Sequence, residues 1–405
     1  MTSSRYRPRV RSTIVMLLGR HLVLATYVVS AAARLAMLAG TGPLSGADTV
    51  GYRAAADALR ISPLTNSGDF LSLPPLFPAY LALMPNTVAA AIGQSLIAAL
   101  VAPLLGLAAR RGLGPFVGWA TALLTALEPN FVFWSTYLVT DSLALVFLAL
   151  AIERTSAEFV GSRVGPAIAA GAASGLAILS RAATLAPSAV LACAQALTGR
   201  SRRARVVGFA GALALIVGIA VLRNVAAAGD VAMYRDQGWQ LVWSGTKWNE
   251  VGRGTKGVDI TYPPGYEGWS PAQRTDFFRD EAISFIRDHP IAYGGLTVRK
   301  ALWFWLPFYP EWSTLHKLWA GVYFVTLYVL AIAGTLRHWR EPLVRILLAL
   351  LAVTLAVVVV TIVDYDGRYR LPAELYLMPL AAAGMAQLRG LLVRRFASAL
   401  SSDAA

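Results

Sequence analysis

Two aspartates and three arginines carry the chemistry that this sequence can do. Asp48 stands in "LSGADTVGYRAAADALR" and Asp141 in "EPNFVFWSTYLVTDSLALVFL", each beside a long apolar run. A carboxylate at the edge of a bilayer is costly unless it is paired or lines a wet cavity, so such a group is a functional candidate from the outset. It is also a ready acceptor for a proton in general-base catalysis. "GLAILSRAATLAP" holds Arg181, and "DYDGRYRLPAEL" holds Arg368 and Arg370 two residues apart. Guanidinium groups fork onto phosphate oxygens, so three of them at one membrane face suit an anionic head group still attached to a lipid tail.

Each residue also has a plainer reading. Asp48 can cap a helix that starts near Thr49, Asp141 can salt-bridge an outside arginine, and the arginines can bind bulk lipid phosphate at the interface. Asp57 and Asp69 read as solvated residues of a polar loop. Tyr52, Trp239, Trp243, Trp248, Trp269, Tyr262 and Tyr266 can stack on sugar faces, or they can form an aromatic belt or the core of a small unit.

The elements that must position these residues are membrane helices. The chain of 405 residues is 57% hydrophobic and 14% charged, with a mean hydropathy of +0.57. Such a composition does not belong to an ordinary soluble domain, and apolar windows of spanning length recur along the chain. They predict about ten spans, near 15–39, 87–109, 115–133, 138–154, 164–180, 183–199, 206–222, 313–336, 342–362 and 371–390. The fold class is therefore an all-α polytopic membrane protein. The formal net charge of +14 has its cause in membrane orientation and not in nucleic-acid binding, because the basic residues cluster in short loops. Clusters at Arg5 to Arg11, Arg110 and Arg111, Arg200 to Arg205, Arg337 to Arg345, and Arg394 and Arg395 place both termini in the cytoplasm by the positive-inside rule. The segments 40–86, 128–141, 223–312 and 363–370 and the turn at Arg181 then face outside, across the cytoplasmic membrane. The apolar N-terminus shows no small-residue cleavage site and reads as a retained first span.

Three regions follow: an N-terminal bundle over 1–222 with its first outside loop at 40–86, an aromatic-rich outside segment over 223–312, and C-terminal helices with a cytoplasmic tail over 313–405. Within the outside segment "SPAQRTDFFRDEAISFIRDHP" reads as a capped amphipathic helix. Ser270 is its cap, Pro271 its first position, and Phe278, Ala282, Phe285 and Ile286 its apolar face. Cys193 is the single cysteine and the four histidines are scattered, so no disulfide framework or metal-ligand spacing is present.

Read in order, the "GYRAAADAL" that follows Asp48, "PPLFPAYLALMP", "EPNFVFWSTYLVTDSLALVFLALA", "GLAILSRAATLAP", "RDHPIAYGGLTVRKALWFW" and "RYRLPAELYLMPLAAAG" resemble the bacterial branch of the family 39 glycosyltransferases. These are membrane enzymes of the GT-C fold, related to protein O-mannosyltransferases and to the lipid A aminoarabinose transferase. The resemblance runs from about residue 30 to 385, and it lies more in the order of the motifs than in any one of them. It implies transfer of a sugar, with inversion, from a polyprenyl-phosphate donor to a lipid, glycan or protein acceptor in a cavity at the outer face. By position Asp48 matches the catalytic aspartate, Asp141 the acid at the mouth of the fourth span, and Arg368 and Arg370 the basic residues near the donor phosphate. Two departures stand out. Many relatives carry Asp-Glu where this chain has Asp48-Thr49, which speaks against protein mannosylation. Some place a lysine before "PP" where this chain has Ser72-Leu73, which leaves the phosphate to the arginines and Lys300.

The residues agree with that reading independently. No glycine-rich nucleotide fingerprint follows a strand and no P-loop is present, so a donor for an outside reaction has to be lipid-borne. A phosphate leaving group needs electrostatic clamping, and the acceptor hydroxyl needs a base. The residues leave open a divalent metal bridging Asp48, Asp141 and the phosphate. The competing class is a transporter or flippase of a lipid-linked sugar, although the inverted repeats and broken helices of many transporters are absent. A catalytically inactive scaffold is a third reading.

Overall fold

The computed structural model describes residues 7–65, 71, 73–158, 163–197, 201–229, 237–247, 262–306, 313–361 and 367–402. Asp69, Ser72, Trp248 and the glycine-rich stretch 248–261 lie outside the described residues. The described residues are predominantly helical, and among them strand-like pairing is confined to one isolated parallel bridge between Leu44 and Tyr137.

The N-terminal part contains α1 (Arg7–Thr41), α2 (Ala47–Ile61), α3 (Leu76–Leu83), α4 (Thr87–Ala98), α5 (Val101–Leu113), α6 (Pro115–Ala126), α7 (Pro129–Trp134) and α8 (Asp141–Ala157). Then come α9 (Gly165–Ser180), α10 (Leu185–Leu197), α11 (Arg202–Ala228), α12 (Gln237–Thr246), α13 (Pro271–Asp288) and α14 (Pro290–Trp305). The chain ends in α15 (Thr314–His338), α16 (Pro342–Thr361) and α17 (Leu371–Ser402).

Among the described residues six stretches are long and apolar enough to cross a membrane: His21–Thr41, Thr87–Leu113, Arg202–Ala228, Thr314–His338, Pro342–Thr361 and Leu371–Val393. The other four expected spans are shorter helices. The window 115–133 breaks in two, because the Glu128 carboxylate caps a new helix at Phe131 and Pro129 takes its first position. At 12 residues, α6 is about 18 Å long against a hydrocarbon core of about 30 Å. Similarly, α8 has 17 residues and is surrounded by protein on nearly every face. Its length therefore answers to its neighbours and not to the bilayer.

Helices approach closely where glycine allows it. On α15 and α17, a Cβ at Gly334 or Gly384 would collide with the carbonyl of Leu380 or Leu330 on the opposing helix, the small-residue packing of membrane bundles. A core of Leu148, Ile152, Phe324, Leu347, Tyr376 and their neighbours runs through α8, α15, α16 and α17. In the segment between α12 and α14, α13 starts as its sequence dictates. Ser270 Oγ accepts from the Gln273 amide at 3.3 Å, and Gln273 Oε1 accepts from the Ser270 amide at 2.8 Å. Phe278 and Ala282 are buried, while Phe285 and Ile286 are half-buried on the same face.

Candidate active site

The segment leading into α2 is stitched to the one leading into α8. The Leu44 amide donates to the Thr136 carbonyl at 3.0 Å, and the Leu138 amide donates to the Leu44 carbonyl at 3.1 Å. Thr49 completes the join: its hydroxyl accepts from the Gly46 amide at 3.0 Å and donates to the Leu138 carbonyl at 3.1 Å. The helix-capping reading of Asp48 is therefore corrected, since Gly46 holds the cap position and Asp48 sits in the first turn of α2 with its carboxylate turned elsewhere. Asp141 is the first residue of α8. Both carboxylates occupy helix N-terminal turns, where the helix dipole favours negative charge.

The third strut comes from the far end of the chain. Gly367 adopts φ 80°, a left-handed conformation that glycine takes without penalty, and the turn it makes delivers Arg368 to both acids. Arg368 Nη1 donates to Asp48 Oδ2 at 2.5 Å and its Nε donates to Asp141 Oδ2 at 2.6 Å. Arg181 follows the last residue of α9 in an extended conformation. Its Nη1 pairs with Asp141 Oδ1, and its guanidinium lies over the Tyr369 ring, 4.8 Å from the centroid. Exposure separates the two acids: the Asp48 side chain is 49% exposed and that of Asp141 only 1%. Asp48 is the open carboxylate, and Asp141 is the buried anchor that positions two arginines.

Tyr52 sits beside this group, buried and packed edge-on against Phe77 with ring centroids 5.1 Å apart. Burial, then the charge of Asp48, pushes its phenol up, against the opposing pull of Arg368, a hydrogen bond with Thr140 and the charge of Arg181. Its ring, expected to take part in sugar or acceptor binding, is part of a hydrophobic cluster next to the acids.

Asp48 and Arg368 border a cavity of about 820 Å³, whose other walls include Met37 of α1, Glu128, Trp134 of α7, and Trp319 and Tyr323 of α15. That volume is within the roughly 300–1,000 Å³ of pockets that enclose small ligands. A second polar group lies behind the wall. The Glu374 carboxylate accepts from Arg370 Nε at 2.7 Å and from Asn130 Nδ2 at 3.0 Å. The Arg370 guanidinium stacks on Phe324 at 4.2 Å, and Arg370 and Glu374 are both wholly buried. Arg370, expected at the donor phosphate, thus has its charge matched by a buried carboxylate, and it is not among the residues that line the cavity.

Three other expected site residues fall away from the cavity. Trp243 is buried with Phe278 and Ala282 in a cluster between α12 and α13, stacking near Tyr262 at 6.1 Å. Trp239 is 37% exposed on the same helix. Lys300 is 2% exposed and so close to Gly245 that a Cβ there would stand 2.6 Å from its Nζ. Burial pushes the Lys300 ammonium down to about 8. Asp57 belongs to α2 and pairs with Arg60 at 2.6 Å, which corrects the loop expected there. Arg60 in turn donates to the carbonyls of Leu81 and Met84 at the end of α3. Sequence reasoning passed over Glu128, Asn130 and Glu374. The Glu128-Pro129 pair carried the only available signal, that of a helix restarting inside an apolar window.

Among the described residues no group of three or more His, Cys, Asp or Glu side chains converges. Asp48 and Asp141 are each bonded to guanidinium groups whose charge repels a second cation. What the arrangement can do is hold an anion on arginine while an adjacent carboxylate takes up a proton. No protein-family model matches the chain, and no curated protein matches it.

Proposed function

We propose that the chain is a membrane glycosyltransferase, moving a sugar from a polyprenyl-phosphate donor to a hydroxyl of a cell-envelope acceptor at the outer face of the cytoplasmic membrane. The observation that carries this reading is Arg368, which joins an exposed carboxylate to a buried one at the edge of a cavity large enough for a sugar. The order of motifs resembling the family 39 glycosyltransferases supports it.

The chemistry follows from the two acids' different exposure. The donor phosphate takes hydrogen bonds from Arg368, and Asp141 keeps that arginine and Arg181 aimed at it. A phosphate oxygen that captures Nη1 of Arg368 also releases the Asp48 carboxylate, which makes the base available only when donor is bound. The acceptor oxygen attacks the anomeric carbon, the bond from that carbon to the phosphate oxygen breaks, and the electron pair leaves with the polyprenyl phosphate. Asp48 takes the acceptor's proton, and a single displacement of this kind inverts the anomeric centre.

The test uses the full chain in vesicles with a polyprenyl-phosphate sugar on one side. Transfer of sugar to an acceptor, abolished in Asp48→Asn, supports the enzyme. Movement of the intact lipid-linked sugar across the bilayer, undiminished in Asp48→Asn, identifies a flippase instead.

A further inference from the structure

The cavity has a second polar end, and the reaction outlined above does not use it. Glu128 is wholly buried. One of its oxygens accepts from the Phe131 amide at 2.5 Å, and the other, Oε1, has no hydrogen-bond partner. The indole nitrogen of Trp134 and the hydroxyl of Tyr323 are likewise buried without a hydrogen-bond partner. All three residues border the same cavity. Buried polar atoms are nearly always paired, and each one left unpaired costs about 1–3 kcal/mol. The three residues that carry these atoms border one cavity, where a ligand that draws their side chains toward it supplies the partners.

The donor and acceptor types specify that ligand. A carboxylate oxygen accepts, an indole N–H only donates, and a phenol hydroxyl does both. The partner must therefore offer donors and acceptors together, as the hydroxyls of a sugar ring do. The ring of Trp319, stacked on Tyr323 at 5.7 Å, and that of Trp134, 4.8 Å from Tyr137, give apolar faces for the C–H side of such a ring.

We propose that Glu128, Trp134 and Tyr323 form a sugar-binding subsite that holds the hydroxyls of the transferred ring while Arg368 holds the phosphate at the other end. This rests on the phosphate-binding role of Arg368, and the two ideas are separable. Equilibrium binding of radiolabelled lipids to the purified full chain is measured with bare polyprenyl phosphate and with its glucose, mannose, galactose and arabinose derivatives. At least one glycosylated lipid should bind about tenfold more tightly than the bare lipid. Tyr323→Phe and Trp134→Phe should each remove most of that gain while leaving the affinity for bare lipid within about twofold. Since neither polar atom has a protein partner, Tyr323→Phe should not lower thermal stability.

A gain that survives intact in both variants overturns the subsite, and so does the absence of any gain from the sugar. Failure of the phosphate reading looks different: Arg368→Lys then leaves bare-lipid binding unchanged, whatever the sugar contributes.

Discussion

Arg368 spans Asp48 and Asp141, with Nη1 2.5 Å from one carboxylate and Nε 2.6 Å from the other, across sequence separations of 320 and 227 residues. One guanidinium therefore holds together the start of α2, the start of α8 and the turn before α17. In the proposed reaction the same group binds the donor phosphate.

Asp48→Asn removes the negative charge and keeps the shape. Gly46 and Thr49 hold the helix start without it, so expression and melting temperature should stay at wild-type values while transfer falls by at least about 10². Asp57→Asn, at an exposed pair, should transfer at the wild-type rate. Wild-type transfer by Asp48→Asn would remove the base assignment.

Asp141 has two guanidinium partners, so losing one leaves it paired. Arg181→Met and Arg368→Met should each destabilise the protein modestly, and the double variant by more than their sum, because only then is a buried carboxylate left without a counter-charge. The uncompensated charge is worth about 3–5 kcal/mol. A double-mutant cycle in denaturant reads the coupling, and strict additivity would show that Asp141 is not the shared anchor.

Arg370 and Arg368 differ in kind. Arg370→Lys should leave donor affinity within about twofold of wild type and lower stability, since a lysine cannot keep both the Glu374 bond and the stack on Phe324. Arg368→Lys should do the reverse, weakening donor binding about tenfold or more. Binding of bare polyprenyl phosphate, compared with thermal unfolding of the same samples, checks both.

Lys300 is a pH-sensitive group. Its ammonium is pushed down to about 8 by burial, below the ordinary lysine value near 10.4. Between about pH 8 and 10.4 the unfolded chain therefore binds the extra proton, and stability should rise with pH in that window. Below pH 8 the burial penalty is fully present. Lys300→Met should raise stability at pH 7 by something on the order of 2 kcal/mol, flatten the rise above pH 8, and leave donor affinity unchanged. Denaturant unfolding at pH 7 and pH 10 is the measurement.

Orientation is testable by impermeant labelling of single cysteines. A cysteine at Glu281 should react from outside the cytoplasmic membrane and one at Arg203 only after permeabilisation. Reaction of Arg203→Cys from outside would place the acids and Arg368 in the cytoplasm and end the proposed reaction.

The sequence alone determined the class of the protein and the short roster of charges worth watching. A composition with 57% apolar residues leaves membrane helices as the fold class, because only there does so much apolar surface face a matching solvent. In such a chain each acid or arginine near a span needs a partner, which singled out Asp48, Asp141, Arg181 and Arg368 before any geometry was known. Local signals were equally legible: Ser270 and Pro271 start α13 because capping depends on residues four positions apart at most. The tertiary structure decided the pairings. Nothing in "GRYR" says that Arg368 meets two outside acids while Arg370 turns inward onto Glu374, since the partner is set by the helix packed opposite and not by chain neighbours. Span number also depends on packing: a window averages over the break at Glu128 and Pro129, and a helix enclosed by protein, such as α8, is free to be shorter than the bilayer is thick.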